Sequence, residues 1–309
     1  MDQSLRIGAS GPLVNAWVQT MNRRFASYSK RDDGTPLRED GYFGLDDARV
    51  ANEWHRRIGL RPVDSPAKVV VSEEQLCILG LGHLLAPLCL TAHGTGVSMW
   101  DGPPADVARA LERMGKAKHQ PIGNYPARPF PMWPSIMQGV AEVEVQVRRF
   151  PGRRKYAVGY SQGAVVMSLA YKYGSLGNDS LVKAFMFANP MREEGVGGTP
   201  GAGALHDRLV NTPGWWREYA HPKDIYASVP TGPGWGENVR MVTKIVMGKD
   251  WWRGDDDVFE QLGEIVFNPF GEGAAALIAA VKAGGFFGSG TGPHVRNLPV
   301  QQAIDYLAA

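Results

Sequence analysis

Residues 159–163, with the sequence GYSQG, match a pattern that can do nucleophilic chemistry. In the pattern G-x-S-x-G the serine sits on a sharp, strained turn, so its neighbours two positions away must have almost no side chain. A chain of this composition contains such a match by chance roughly 0.2 times, so the motif alone is weak. Its context adds specificity, because residues 156–158 predict a strand before it and residues 164–170 a helix after it. The pattern therefore predicts Ser161 as a nucleophile, and a tight turn with a spectator serine is the alternative.

A serine nucleophile needs a histidine as its base, and three histidines follow Ser161 in the chain. In proteins with this serine turn, the three residues of the triad occur along the chain in the order Ser, Asp/Glu, His. His206 has no predicted strand before it, and His221 lies too close in sequence to the best acid. His294 precedes the predicted terminal helix, and chain order favours it over the alternative, His221.

The best candidate for the acid is Asp224, which follows a predicted last core strand at 216–220. It would orient the imidazole of His294 and stabilise its cation. The run 255–257, three consecutive aspartates, is the rival, although such a run is more typical of a solvated helix start. The segment between Asp224 and His294 is long for a simple hydrolase, and an inserted helical lid at about 226–290 explains it.

Two donors are predicted to hold the oxyanion that forms when the serine attacks a carbonyl. The backbone N–H of Gln162 follows the nucleophile at a helix N-terminus, which favours negative charge. The second donor should come from a loop after an early strand, and Thr95 in the segment 93–96 has that place. The alternative for this segment is an ordinary glycine-rich turn.

The elements around these residues alternate between strands and helices. Apolar runs at 88–92, 156–158 and 184–187 predict strands, and the segments 104–114 and 162–173 predict helices. The segment 135–150 fits either pattern, and its length favours a helix. This alternation predicts the α/β class with a parallel sheet and crossover helices.

The first part of the chain has a different pattern. Apolar residues repeat at spacings of three and four in 12–25 and 45–58, and residues 72–75 form a capping box before a third short helix. We therefore predict a small three-helix domain at 1–83 and an α/β-hydrolase domain at 84–309.

Composition and charge exclude several classes of function. Of the 309 residues, 44% are apolar and 21% charged, which is typical of a globular protein. A net charge of +2 gives no reason to expect nucleic-acid binding. The two cysteines, Cys77 and Cys89, lie in apolar runs and are predicted to be buried free thiols, so we expect no disulfide framework and no zinc site. We expect no metal and no cofactor. No apolar run is long enough to span a membrane, and the N-terminus shows no signal peptide.

Several stretches together resemble a known family, the lysin B esterases of mycobacteriophages, which are relatives of the cutinases. The matching stretches are HGTG at 93–96, QPIGNYP at 120–126, FPMWPS at 130–135, GYSQGA at 159–164, NPMR at 189–192, DIYAS at 224–228 and PH at 293–294. They lie between about residue 88 and the C-terminus. The proline and aromatic stretch from 120 to 135 makes the resemblance specific, because it has no generic fold role.

The resemblance implies a cutinase-like α/β-hydrolase fold and a Ser161, Asp224 and His294 triad. It implies hydrolysis of the ester that joins mycolic acids to arabinogalactan, at the end of phage infection. The enzyme would be made in the host cytoplasm and act at the mycobacterial cell envelope. A generic lipase or cutinase-like enzyme without wall preference is the main alternative, and a non-catalytic wall-binding protein is a further one.

The N-terminal region resembles a peptidoglycan-binding domain of the three-helix type. The resembling pieces lie at 5–11, 17–19, 40–44 and 59–60, and a long, charged loop at 27–39 departs from the pattern. The resemblance implies a peptidoglycan contact through residues 1–83, and a degenerate packing domain is the alternative.

Five of the nine tryptophans lie between positions 215 and 252, and they are Trp215, Trp216, Trp235, Trp251 and Trp252. An aromatic lid surface suits a long acyl chain, whereas plain core packing is the alternative for each of them.

Overall fold

The computed structural model describes residues 2–128, 132–177, 180–231 and 292–309. The chain divides into two compact units. One consists of Met1–Pro87 and Arg148–Arg154, and the other of Leu88–Val147 and Lys155–Ala309.

Three α-helices form the framework of the first unit: α1 (Pro12–Arg24), α2 (Leu45–Arg57) and α3 (Glu73–Ile78). The predicted capping box opens α3, where Ser72 Oγ accepts the backbone N–H of Gln75 at 3.3 Å and Gln75 Oε1 accepts that of Ser72 at 2.8 Å. The helical stripes predicted from the sequence are therefore confirmed as helices.

Within the segment Arg148–Arg154, the side chain of Arg153 binds other residues of the first unit. Its guanidinium is fully buried, lies 2.8 Å from the carboxylate of Glu73 and donates to the carbonyl of Ala86 at 2.7 Å. A buried charge is tolerated when it is paired and hydrogen-bonded in this way.

Within the described ranges, five parallel strands and five α-helices belong to the second unit. In chain order they are β1 (Leu88–Ala92), α4 (Gly102–Arg113), β2 (Lys118–Pro121), α5 (Met132–Arg149), β3 (Lys155–Tyr160), α6 (Gln162–Lys172), β4 (Leu181–Phe187), β5 (Trp216–Tyr219), α7 (Gly292–Val295) and α8 (Val300–Ala308). The sheet order is β2-β1-β3-β4-β5, and every pairing is parallel. The predicted α/β class is confirmed.

The sheet lies between two layers of helices. Helices α4 and α8 pack against β1, β3 and β4 in one hydrophobic core, to which α8 contributes Ala303 and Leu307. Helix α6 contacts β1 and β3, and α5 lies so close to it that a Cβ at Gly139 would be 2.8 Å from the side chain of Val166. Because both faces are covered, β1 is buried along its whole length, and its sequence is apolar except for Thr91.

The sequence pattern predicted neither the short helix α7 nor strand β2. The residues of β2, Lys118–Pro121, are polar or proline, and all four are half-buried. An edge strand needs no apolar alternation and tolerates proline, so local patterning gives no signal for it. The ambiguous segment at 135–150 is helical, as its length predicted.

The predicted lid falls almost entirely outside the described residues, and so do Trp235, Trp251 and Trp252. Its first residues form a turn and then an isolated antiparallel bridge between Ala202 and Val229. Trp216 belongs to β5 and is buried, so it has the alternative role in core packing. Trp215 and Trp216 both contact the ring of Tyr171.

Both cysteines are free and buried, which confirms that prediction. Among the residues that the structure describes, none of the helices is both long and apolar enough to cross a bilayer.

Candidate active site

Ser161 occupies a strained turn between β3 and α6. Its backbone has φ 54° and ψ −120°, a conformation that L-residues rarely adopt. The flanking glycines permit it. A Cβ at Gly159 would lie 2.7 Å from the Cα of Ala164, and one at Gly163 would lie 2.2 Å from the carbonyl oxygen of Ala92. The predicted strand–turn–helix context is present, and the turn presents Ser161 at the carboxyl end of the sheet.

His294 and Asp224 meet Ser161 in one chain of hydrogen bonds. His294 Nε2 lies 2.8 Å from Ser161 Oγ, and His294 Nδ1 lies 2.8 Å from Asp224 Oδ2. Because a carboxylate can only accept, Nδ1 carries the hydrogen, and Nε2 of the neutral ring is left to accept the serine proton. The geometry thus provides a hydroxyl, a base that faces it and an acid that orients the base.

The turn after β5 holds the carboxylate of Asp224. Asp224 is 1% exposed, and its Oδ1 accepts the backbone N–H groups of Tyr226 at 2.9 Å and Ala227 at 3.2 Å. One carboxylate oxygen is therefore fixed by backbone, and the other is free to bond the imidazole.

Two tyrosines confine the ring of His294. The ring of Tyr226 meets it edge-on at 4.8 Å between centroids, and the ring of Tyr160 lies at 5.7 Å. Burial raises the pKa of Tyr160 to about 12 and also raises that of Tyr226, so both phenols stay neutral beside Asp224. The two aromatic rings that pack on the imidazole are therefore uncharged.

The two predicted oxyanion residues also lie together. Gln162 is the first residue of α6, where helix N–H groups have no partner within the helix. Its side-chain Nε2 donates to Thr95 Oγ1 at 3.3 Å. The loop of Thr95 lies against Ser161, since a Cβ at neighbouring Gly94 would be 2.7 Å from the ring of Tyr160 and 3.5 Å from Ser161 Cβ.

The two rival histidines lie elsewhere. His221 Nδ1 accepts the backbone N–H of Lys223 within a turn, and His206 is exposed. The aspartates at 255–257 lie outside the described residues. Within the described ranges, no group of three or more His, Cys, Asp or Glu side chains could hold a metal ion.

Sequence reasoning assigned no role to Arg192, which organises the segment beside the acid. Its buried guanidinium donates to the carbonyl of Ala227 at 2.7 Å. It also donates to four more carbonyls, those of Val196, Thr199, Pro200 and Gly201. In the sequence, only the NPMR stretch pointed to this residue. A side chain that binds five backbone carbonyls requires no particular residue types at those positions, so it leaves no pattern in the sequence.

Comparison with known proteins places the chain in a family, although no family model matches it. Endolysin B of Mycobacterium phage L5 is 34% identical over 242 residues, which are 68% of this chain and 94% of that protein. Endolysin B of Mycobacterium phage D29 is 35% identical over 228 residues, which are 65% of this chain and 89% of that protein. The crystal structure of lysin B from mycobacteriophage D29 matches with a TM-score of 0.58 and 33% identity over 72% of this chain and 99% of that chain. The chain therefore belongs to the endolysin B, or lysin B, family of mycobacteriophages.

Proposed function

We propose that the protein is a serine esterase with Ser161 as nucleophile, His294 as general base and acid, and Asp224 as the orienting acid. One observation carries the proposal: the two 2.8 Å hydrogen bonds that join Ser161, His294 and Asp224 on a strained strand-to-helix turn.

The reaction follows from the positions of these atoms. Ser161 Oγ attacks the ester carbonyl carbon while its proton passes to His294 Nε2, and the carbonyl electron pair moves onto oxygen. Gln162 N–H and Thr95 hold this oxyanion. The tetrahedral intermediate collapses, the bond to the alcohol oxygen breaks, and His294 returns the proton to that oxygen. Water then attacks the acyl-enzyme in the same way, which releases the acid and restores the Ser161 hydroxyl. No cofactor enters any step.

We propose the ester between mycolic acids and arabinogalactan of the mycobacterial cell wall as the substrate. Membership of a family of endolysins from Mycobacterium phages supports this substrate. The enzyme would be made in the host cytoplasm and act at the envelope during lysis. A cutinase-like carboxylesterase without wall preference is the second candidate, since the same triad serves any ester.

The decisive test combines active-site labelling with wall-lipid analysis. A fluorophosphonate probe should label the wild type but neither Ser161→Ala nor His294→Ala, and purified cell wall should release free mycolic acid only with the wild type. Turnover of soluble esters without release from the wall would favour the second candidate. An unlabelled wild type would mean that the fold is catalytically dead.

The acid has its own test in Asp224→Asn. The backbone N–H groups of Tyr226 and Ala227 hold the amide oxygen, so the amide nitrogen faces Nδ1 as a donor and favours the wrong tautomer of His294. We therefore expect kcat to fall by about 10⁴. Ester hydrolysis at substrate saturation measures this, and a loss below tenfold would contradict the role of Asp224.

We further propose that residues 1–83 contact peptidoglycan through a cleft in the first unit. The cleft has a volume of about 110 Å³, and its lining includes Arg31, Arg38, Asp40 and the half-exposed Tyr42. Charges of both signs beside an exposed aromatic ring suit a wall polymer that carries sugars and charged peptides. In pull-down of the full chain with purified peptidoglycan, Tyr42→Ala should lower binding. Tyr173→Ala, an equally exposed tyrosine in the second unit, should not. Equal binding by both variants would contradict the cleft.

A further inference from the structure

The stretch that made the family resemblance specific places a buried tyrosine next to the candidate oxyanion site. Tyr125 lies between β2 and α5, is 3% exposed, and donates its hydroxyl to Gln162 Oε1 at 2.7 Å. We propose that Tyr125 is a positioning residue that acts through the side chain of Gln162 to orient the hydroxyl of Thr95 toward the oxyanion. This inference rests on the proposed esterase function.

The donor and the acceptor of each hydrogen bond made by the Gln162 side chain can be assigned from chemistry. One end of the Gln162 amide lies 2.9 Å from the carbonyl oxygen of Arg128. A carbonyl can only accept, so the atom that faces it is Nε2. The other end, Oε1, then faces two hydroxyls that can donate, Tyr125 at 2.7 Å and Ser135 at a longer 3.4 Å. Tyr125 is therefore the stronger of the two groups that hold Oε1.

The consequence reaches Thr95. Because Gln162 Nε2 is a donor, Thr95 Oγ1 at 3.3 Å must accept. The hydrogen of the Thr95 hydroxyl is then left for another acceptor, and the negative oxygen of the tetrahedral intermediate is one that appears beside it. If the amide of Gln162 were rotated by 180°, Thr95 would instead donate to Oε1. Its hydroxyl hydrogen would then no longer be available to the oxyanion.

The surroundings of Tyr125 keep its hydroxyl a donor and its ring immobile. Burial raises the pKa of Tyr125, so the phenol keeps its proton. A Cβ at Gly139 would lie 2.9 Å from the ring, so α5 packs directly on it. The imidazole of His93 lies 4.8 Å from the ring of Tyr125, and burial lowers the pKa of His93 to about 4, so this imidazole is neutral at neutral pH. A donor that is fixed in advance, before the negative charge develops, is what stabilises an oxyanion.

The test is the conservative variant Tyr125→Phe, which keeps the ring and removes the hydroxyl. An oxyanion donor acts in the transition state, so kcat for a soluble p-nitrophenyl ester should fall about threefold to thirtyfold while KM stays within about twofold. Tyr171→Phe, at the far end of α6, is the matched control and should keep the wild-type kcat.

A double-mutant cycle separates positioning from general packing. In a Thr95→Val background the hydroxyl that Tyr125 orients is absent. Adding Tyr125→Phe should then change kcat by less than about twofold. A further loss as large as in the wild-type background would overturn the proposal. If Tyr125→Phe does not fold, Gln162→Leu takes its place in the same cycle.

The outcomes distinguish this inference from the proposed function. A wild type that hydrolyses esters, with Ser161→Ala inactive and Tyr125→Phe unchanged, overturns the inference alone. A wild type that neither hydrolyses esters nor reacts with a fluorophosphonate overturns both.

Discussion

Glu218 lies on β5 with its side chain buried, and this burial has a measurable consequence. Its Oε1 accepts from Trp216 Nε1 at 2.8 Å and from Asn189 Nδ2 at 3.0 Å, and Oε2 has no hydrogen-bond partner within the described residues. Burial raises the pKa of Glu218 from 4.5 to about 7, although these hydrogen bonds and the charge of Arg192 oppose the rise, whereas Glu193 adds to it. The folded protein therefore favours the neutral carboxyl group.

The size and sign of the effect follow from linkage. One pKa unit corresponds to about 1.4 kcal/mol, so a rise from 4.5 to about 7 corresponds to about 3 kcal/mol. In the unfolded chain Glu218 loses its proton above its ordinary pKa, whereas in the fold it keeps the proton until near pH 7. Its contribution to stability is thus fully present below about pH 4.5 and is lost as the pH rises through 7.

Glu218→Gln removes this titration and keeps the side chain's shape. Between pH 4.5 and pH 8 the free energy of unfolding of the wild type should fall by about 3 kcal/mol more than that of the variant. Other groups, such as Asp47, whose pKa burial raises to about 6, titrate in both proteins and cancel in the difference. Glu194→Gln, at an exposed carboxylate, is the control and should follow the wild type.

Urea unfolding of the three proteins at intervals of one pH unit measures the effect. Parallel stability curves for the wild type and Glu218→Gln would refute the reasoning, since they would mean that the carboxyl group is solvated or already ionised in the fold.

Two further predictions concern the close contact at the turn and the buried charge in the first unit. Gly163→Ala places a Cβ 2.2 Å from the carbonyl oxygen of Ala92, so it should lower thermal stability by about 1–3 kcal/mol and abolish most ester hydrolysis. Gly214→Ala meets nothing within 4 Å and should match the wild type in both assays. Arg153→Met removes the buried ion-pair partner of Glu73 and should cost about 3–5 kcal/mol in urea unfolding. Adding Glu73→Leu should recover much of that loss, and a double variant no more stable than the single one would contradict the explanation.

Local features of the sequence were enough to predict the elements that carry the chemistry. The glycines around Ser161 predict the strained turn because its steric requirement concerns residues two positions away. The mostly apolar run of β1 predicts a buried parallel strand, and the capping box of Ser72 and Gln75 predicts the start of α3. Chain order favoured His294 and Asp224, and the structure brings both to Ser161.

Only the tertiary structure decided which distant groups meet. Strand β2 exists because β1 offers it an edge to pair with, and its polar sequence does not reveal this. The bond from Tyr125 to Gln162 joins residues 37 positions apart, and Asn189 reaches Glu218 across 29 positions. Periodicity and capping patterns report only neighbours within a turn or a pleat, whereas a buried polar group is satisfied by whichever partner the folded chain brings near it.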